Sequence, residues 1–134
     1  MPQPDINSQL SSALGTQTGR AWVYTDGSAI TTGDRIGTYA AMILLPSGHR
    51  VPVWGGCNQT TIDRVELTAI NHALYYLLSQ HLNGLGVQVI CDRQAMVASA
   101  CGDYKRRSNT DLWAQFDALS SSFDIAMQYV PRNS

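Results

Sequence analysis

The chain has 134 residues, nine of them Lys or Arg against ten Asp or Glu, for a formal net charge of −1. That length is one domain, able to bury a core without metal or disulfide staples, and the charge balance excludes a protein that attracts polyanions through a global positive field. Three cysteines (Cys57, Cys91 and Cys101) lack zinc-type spacing and read as free thiols of a reducing compartment; with no basic-then-apolar leader and no membrane-length apolar run, the expectation is a soluble intracellular protein, cytoplasmic or nuclear.

Residues 1–19 are rich in Ser, Gln, Thr and Pro, with Ile6, Leu10 and Leu14 scattered among them, and are expected to be a mobile leader with at most a weak helical turn. Residues 20–28 make a first strand, in which Trp22-Val23-Tyr24-Thr25 runs apolar and β-branched up to Asp26-Gly27-Ser28. The run does not alternate, so both faces of this strand are expected to be covered. Thr31–Arg35 is a turn, Gly37–Leu45 a second strand, and Pro46-Ser47-Gly48 a tight turn into a third strand from His49 to Cys57. Pro52 cannot donate to a ladder, which places this third strand at a sheet edge.

The period then changes. From Thr61 to about Leu82, apolar residues fall at Val65, Ala69, Ala73 and Leu77 and again at Leu67, Ile70, Leu74 and Leu78, which is helical spacing with a broad buried stripe. A buried strand Val87–Cys91 ends in Asp92, and a short helix covers about Gln94 to Ala100. A loop carries Lys105-Arg106-Arg107, a third helix spans about 110–121, and Phe123–Val130 is the last strand. The order β-β-β-α-β-α-α-β implies an α/β fold, a mixed sheet covered by helices. The strands ending at Asp26 and Asp92 are best made parallel neighbours, and open α/β sheets place their chemistry at such carboxyl ends.

Each acidic residue has a structural role open to it when taken alone. Asp26-Gly27 is a turn pair, Asp63 with Glu66 fits a capping box, and Asp92 can cap the helix that follows. Together, Asp26, Glu66 and Asp92 are two strand ends and a first helical turn that one rim can gather. Two carboxylates about 5 Å apart repel by roughly 3 kcal/mol at an effective dielectric near 20, so three need a proton or a divalent cation. Oxygen donors without His or Cys suit Mg²⁺ or Mn²⁺, and such a site performs metal-assisted phosphoryl transfer. His49, His72 and His81 have no ligand spacing, which argues against a histidine-based ribonuclease. No Gly-rich phosphate loop follows a strand, which argues against a nucleotide-binding protein.

At residues 20–134 the sequence resembles ribonuclease H of type 1, including retroelement and short archaeal-like forms. The matching words are Tyr24-Thr25-Asp26-Gly27-Ser28, Thr61 with Arg64-Val65-Glu66-Leu67, Cys91-Asp92-Arg93-Gln94, Asn109-Thr110-Asp111-Leu112-Trp113 and Tyr129-Val130-Pro131-Arg132. The resemblance implies a five-stranded mixed sheet of order 3-2-1-4-5 flanked by helices. It also implies cleavage of the RNA strand of RNA–DNA hybrids, with Asp26, Glu66 and Asp92 holding two divalent ions, one activating the attacking water and the other stabilising the leaving oxygen. Gly27, Ser28 and Gln94 match positions at the hybrid's minor groove, where 2′-hydroxyls distinguish RNA. Thr61, assisted by Arg64, matches a contact to a DNA-strand phosphate, and Lys105, Arg106 and Arg107 stand for the family's basic handle.

Departures from the family pattern are specific. Ile62 replaces a frequent Asn, Arg93 replaces a Ser, and Asn133 occupies the place of a mobile-loop His. The chain ends at Ser134, ahead of the family's last helix and its fourth acidic residue. The expectation is therefore a truncation or a piece of a larger polyprotein, with apolar sheet surface uncovered unless an oligomer covers it. The alternative function is a weakened or inactive hybrid-binding domain of a reverse transcriptase or larger assembly.

Overall fold

A computed structural model describes residues 19–29, 36–58 and 60–131, the side chains of 26–29 excepted. The leader up to residue 18, the turn at 31–35 and Asn133 lie outside the described residues. The apolar and β-branched runs form strands β1 (Arg20–Ala29), β2 (Gly37–Leu44), β3 (Arg50–Cys57), β4 (Gly86–Cys91) and β5 (Asp124–Tyr129). The helices are α1 (Ile62–Ser79), α2 (Gln94–Cys101) and α3 (Thr110–Ser120). The strands make one sheet of order β3-β2-β1-β4-β5, as expected. β1, β2 and β3 form an antiparallel meander, while β1–β4 and β4–β5 are parallel. Pro52 does lie on an edge strand, opposite Met42.

Period-2 alternation sends successive residues of β1 to opposite faces. Ala21 and Val23, both 0 % exposed, join Ile43, Val87 and Val89 under Leu67, Ile70, Leu74 and Leu77 of α1, in the main core that Met96 of α2 and Trp113 and Phe116 of α3 complete. Trp22 faces the other way and forms a second cluster with Leu44 and Ile90, flanked by Tyr24, Met42 and Val130. Both faces of β1 are thus buried, as its unbroken apolar run implies.

The ends of α1 differ from the sequence expectation. Its N-cap is Thr61, in extended conformation, whose hydroxyl accepts the Arg64 amide at 3.3 Å. Asp63 sits two residues past the cap position and instead receives the Arg93 guanidinium at 2.6 Å. At the other end the helix stops at Ser79 rather than near Leu82. His81 adopts φ 60°, its amide returns to the Leu78 carbonyl at 3.0 Å, and the Leu82 amide returns to Leu77 at 3.2 Å. These are the two bonds of a Schellman closure, in which an apolar residue after the helix packs back on it. Leu82 continues the apolar pattern for that reason and not as helix. Likewise Arg93, not Asp92, holds the N-cap position of α2, without a side-chain cap. Among the described residues no helix is long and apolar enough to cross a membrane.

Candidate active site

The parallel ladder between β1 and β4 closes with Tyr24 opposite Ile90, two residues before Asp26 within β1 and two before Asp92, which directly follows β4. Helix α1 lies across β1 and β2 and delivers Glu66 from its first turns. Val65 and Leu67 on either side are 0 % exposed, and Glu66 itself is 1 % exposed. A carboxylate so deeply placed needs donors. The Thr25 hydroxyl donates to its Oε2 at 3.1 Å, and the Cys91 thiol donates to the same oxygen at 3.5 Å. Burial, reinforced by the neighbouring carboxylate, pushes the Cys91 thiol up to about 12. It therefore stays an S–H donor at neutral pH. Ligand atoms of Glu66, Cys91 and Asp92 all lie within 4.8 Å of one another, a spacing that could hold a metal ion.

The other residues singled out in the sequence divide into two groups. Asp26, Gly27 and Ser28 belong to β1, opposite Ala40, Tyr39 and Thr38, and the Asp26 and Ser28 side chains lie outside the described residues. Thr61 and Gln94 stand at the starts of α1 and α2, both exposed. Arg64 grips Asp111 with two hydrogen bonds of 3.0 and 2.8 Å and reaches Asn109 Oδ1 at 3.1 Å. This fork ties the start of α1 to the start of α3. The guanidinium holds the Asp111 carboxyl down to about 2, and Arg64 is raised in turn by that hydrogen bond.

Of the basic run, Arg106 is committed to structure. Its guanidinium lies 4.3 Å from the Trp113 ring centre, bonds both Asp117 oxygens at 2.8 Å and donates to the Ser99 carbonyl at 3.0 Å. Lys105 and Arg107 are exposed and line a cleft of about 140 Å³ with Asp63, Ser99 and Asn109. A larger hollow of about 430 Å³ between α1 and α3, lined by Thr68, Asn71, Tyr75 and Gln115 among others, shares no residue with the acidic cluster. His72 is half-buried, with the Tyr39 hydroxyl 2.9 Å from its Nδ1, the boundary position expected of it.

Sequence reasoning passed over Thr25 and Cys91. Both stand directly before the aspartates of their strands, so alternation alone places them on the opposite side of the pleat, towards α1. That was the available signal.

The sequence model of the RNase H family matches residues 18–132. A ribonuclease H of Thiobacillus denitrificans is 33 % identical over 122 residues, covering 81 % of this chain and 78 % of that protein. One of Methylorubrum extorquens is 31 % identical over 123 residues, covering 83 % of this chain, which spans only 51 % of that longer relative. Among solved structures, LC11-RNase H1 in complex with an RNA/DNA hybrid, a protein isolated from compost by a metagenomic approach, superposes with a TM-score of 0.73 at 21 % identity, over 84 % of this chain and 86 % of that one. RNase H1 of the halophilic archaeon Halobacterium salinarum gives 0.68 at 21 % identity, over 85 % and 87 %. These likenesses in structure are to the fold, and they meet the sequence match over the same strands and helices: the chain belongs to the ribonuclease H family.

Proposed function

We propose that the protein hydrolyses the RNA strand of RNA–DNA hybrids, with Asp26, Glu66 and Asp92 as the carboxylates that hold two divalent ions, Mg²⁺ or Mn²⁺, in the substrate complex. The observation that carries this reading is the buried Glu66 carboxylate beside Asp92, directly after β4, which pairs in parallel with β1. The donor set fits hard cations. Carboxylate oxygens are the ligands of Mg²⁺ and Mn²⁺. When bound, a divalent ion supplies Lewis acidity to the scissile phosphodiester and neutralises charge building on it.

The chain's own groups do the rest. Thr25 and Cys91 orient Glu66 by donating to one of its oxygens, which aims the carboxylate and limits its rotation. By the family resemblance, Gly27, Ser28 and Gln94 meet the hybrid's minor groove, where the 2′-hydroxyl is read, and Thr61, assisted by Arg64, meets a DNA-strand phosphate. Lys105 and Arg107 line the cleft beside α1, and their charge suits phosphates. The Arg64–Asp111–Asn109 fork and the Arg106 staple position that border. Asn133, which stands in the place of the family's mobile-loop His, is kept as a substrate-binding residue by the resemblance, and product release relies on another group.

The test is incubation of the purified chain with an end-labelled RNA–DNA hybrid, beside single-stranded RNA and duplex DNA, in Mg²⁺, Mn²⁺ and EDTA. Cleavage confined to the hybrid, lost in EDTA and reduced at least a hundredfold in Glu66→Gln and Asp92→Asn, is expected; a change of that size is about 2.7 kcal/mol of barrier. Cleavage of all three substrates, or cleavage surviving EDTA, would reject the proposal. Retention of the hybrid without cleavage in either metal would leave a binding domain in its place.

A further inference from the structure

The segment that carries Asp92 is tied to α1 on both sides of that residue. On one side, the Cys91 thiol donates to Glu66 Oε2 at 3.5 Å. On the other, the Arg93 guanidinium donates to Asp63 Oδ1, through Nε at 2.9 Å and through Nη2 at 2.6 Å. Asp63 and Glu66 are one turn apart on α1 and neighbours on its surface. Both ties therefore reach the same turn of helix, and Asp92 stands between them.

The Arg93 tie adds little to folding. Its partners have side chains 33 % and 49 % exposed, and ion pairs at such positions contribute little to stability. Nor does Arg93 serve the helix that it starts. It holds the N-cap position of α2 without a side-chain cap bond, because a guanidinium has donors and no acceptor. Ser, Thr, Asn or Asp in that place would accept a free helix amide. Met96 is the buried residue of α2, so core packing leaves the start of this helix lightly held. The chain gives up a cap here and gains a fork directed at α1. Local rules are broken in this way where a site needs a particular geometry.

We propose that Arg93 is a positioning residue of the acidic site. Clamped on Asp63, it fixes Asp92 against the turn of α1 that carries Glu66, and so holds the two carboxylates at the spacing that a divalent cation needs. Asp63 has a second part, since its charge offsets that of a guanidinium one residue from a cation ligand. The inference rests on the reading of Glu66 and Asp92 as cation ligands and adds Arg93 and Asp63 to it.

Charge and position predict opposite signs for Arg93→Met. Loss of a positive charge beside the site would by itself tighten cation binding, whereas loss of the clamp weakens it. The full chain is titrated with Mn²⁺ alone, without nucleic acid, and binding is read from the free-ion electron paramagnetic resonance signal. Arg93→Met is expected to bind Mn²⁺ about tenfold more weakly, the lower end of what losing a group that supports a metal ligand costs. Its Tm is expected within about 4 °C of the parent. Arg93→Lys keeps the charge but not the fork, and is expected to bind about threefold more weakly. The Met96 and Val97 amides, which return to the Arg93 carbonyl at 3.1 and 3.3 Å, are expected to exchange hydrogen faster in Arg93→Met, in EDTA. Mn²⁺ binding in Arg93→Met as tight as the parent's, or tighter, overturns the proposal. Should Arg93→Met fail to fold, Arg93→Lys decides: weaker binding at a native Tm supports the clamp, and parent-like binding overturns it. Asp92→Asn separates the two readings. If it loses Mn²⁺ while Arg93→Met does not, the clamp alone falls; if it binds as the parent does, the cation site falls and the clamp with it.

Discussion

Thr25→Val isolates the contact on which the acidic cluster depends. Thr25 is 1 % exposed, and valine fills nearly the same volume, so the substitution opens no cavity. What it removes is the hydroxyl that donates to Glu66 Oε2 at 3.1 Å. A hydrogen bond to a charged group contributes about 1.5–3 kcal/mol, and loss of the donor leaves the buried carboxylate under-satisfied. The longer contact from Cys91, at 3.5 Å, is a weak donor and replaces little of it. The expected loss is about 2 kcal/mol, or about 7 °C in Tm for a chain of this size. Thr25→Ser keeps the hydroxyl and deletes a methyl, for a loss of about 1 kcal/mol. Urea unfolding at pH 7 in EDTA, followed by far-UV circular dichroism, measures both. The reasoning fails if Thr25→Val is as stable as the parent, or if Thr25→Ser falls as far as valine.

Three further outcomes are expected. Asp111 is held down to about 2 by Arg64, so this carboxylate adds stability above its unfolded value near pH ~4 and loses it as pH falls through the folded one. Urea titrations should show Asp111→Asn less stable than the parent at pH 6, with the difference fading between about pH 4 and 2; a pH-independent difference would count against the ion pair. Lys105→Ala/Arg107→Ala should leave Tm unchanged while making the salt dependence of hybrid binding shallower by about 2 in log–log slope, read by fluorescence anisotropy over a range of KCl concentrations. Leu67, 0 % exposed in the main core, should cost about 3 kcal/mol on truncation to alanine, and a loss below 1 kcal/mol in urea unfolding would mean that α1 closes over the gap.

The architecture was legible because two different periods are written in the chain. Alternating and continuous apolar runs marked all five strands, and the Val65–Leu78 stripe marked α1. Pro52 gave the edge, and the order of elements gave the parallel neighbours. Helix ends were less legible for a local reason. Thr61 and Asp63 are both good caps, and only the Arg93 guanidinium, 30 residues away, decides that Asp63 is otherwise engaged. At the other terminus, Leu82 satisfies the helical pattern because a Schellman closure uses the same buried stripe. In the candidate site, Glu66 in the first turns of α1 and Asp92 directly after β4 were readable from their places in the chain, while Asp26 lies within β1, three residues before its end. Their supports were not readable. A threonine or cysteine in an apolar run carries no sign that it donates to a distant glutamate. Nor could Lys105-Arg106-Arg107 be divided by sequence: Arg106 is set apart by the face of Trp113 and the carboxylate of Asp117, both brought to it by α3.

How the site is held follows from where those supports come from. The donors to Glu66 are 41 residues before it in β1 and 25 after it in β4, and those strands are joined only through the meander and α1. These two contacts therefore form only once the β1–β4 pairing is made and α1 lies on it. Val65 and Leu67 anchor the Glu66 backbone on both sides, so the side chain cannot swing into water without unpacking the helix. A ligand atom of Glu66 and one of Asp92 lie within 4.8 Å of each other, and a carboxylate held in place by packing binds a cation without having to be ordered first. On this argument the anchoring of Glu66 is what makes the rim ready for metal.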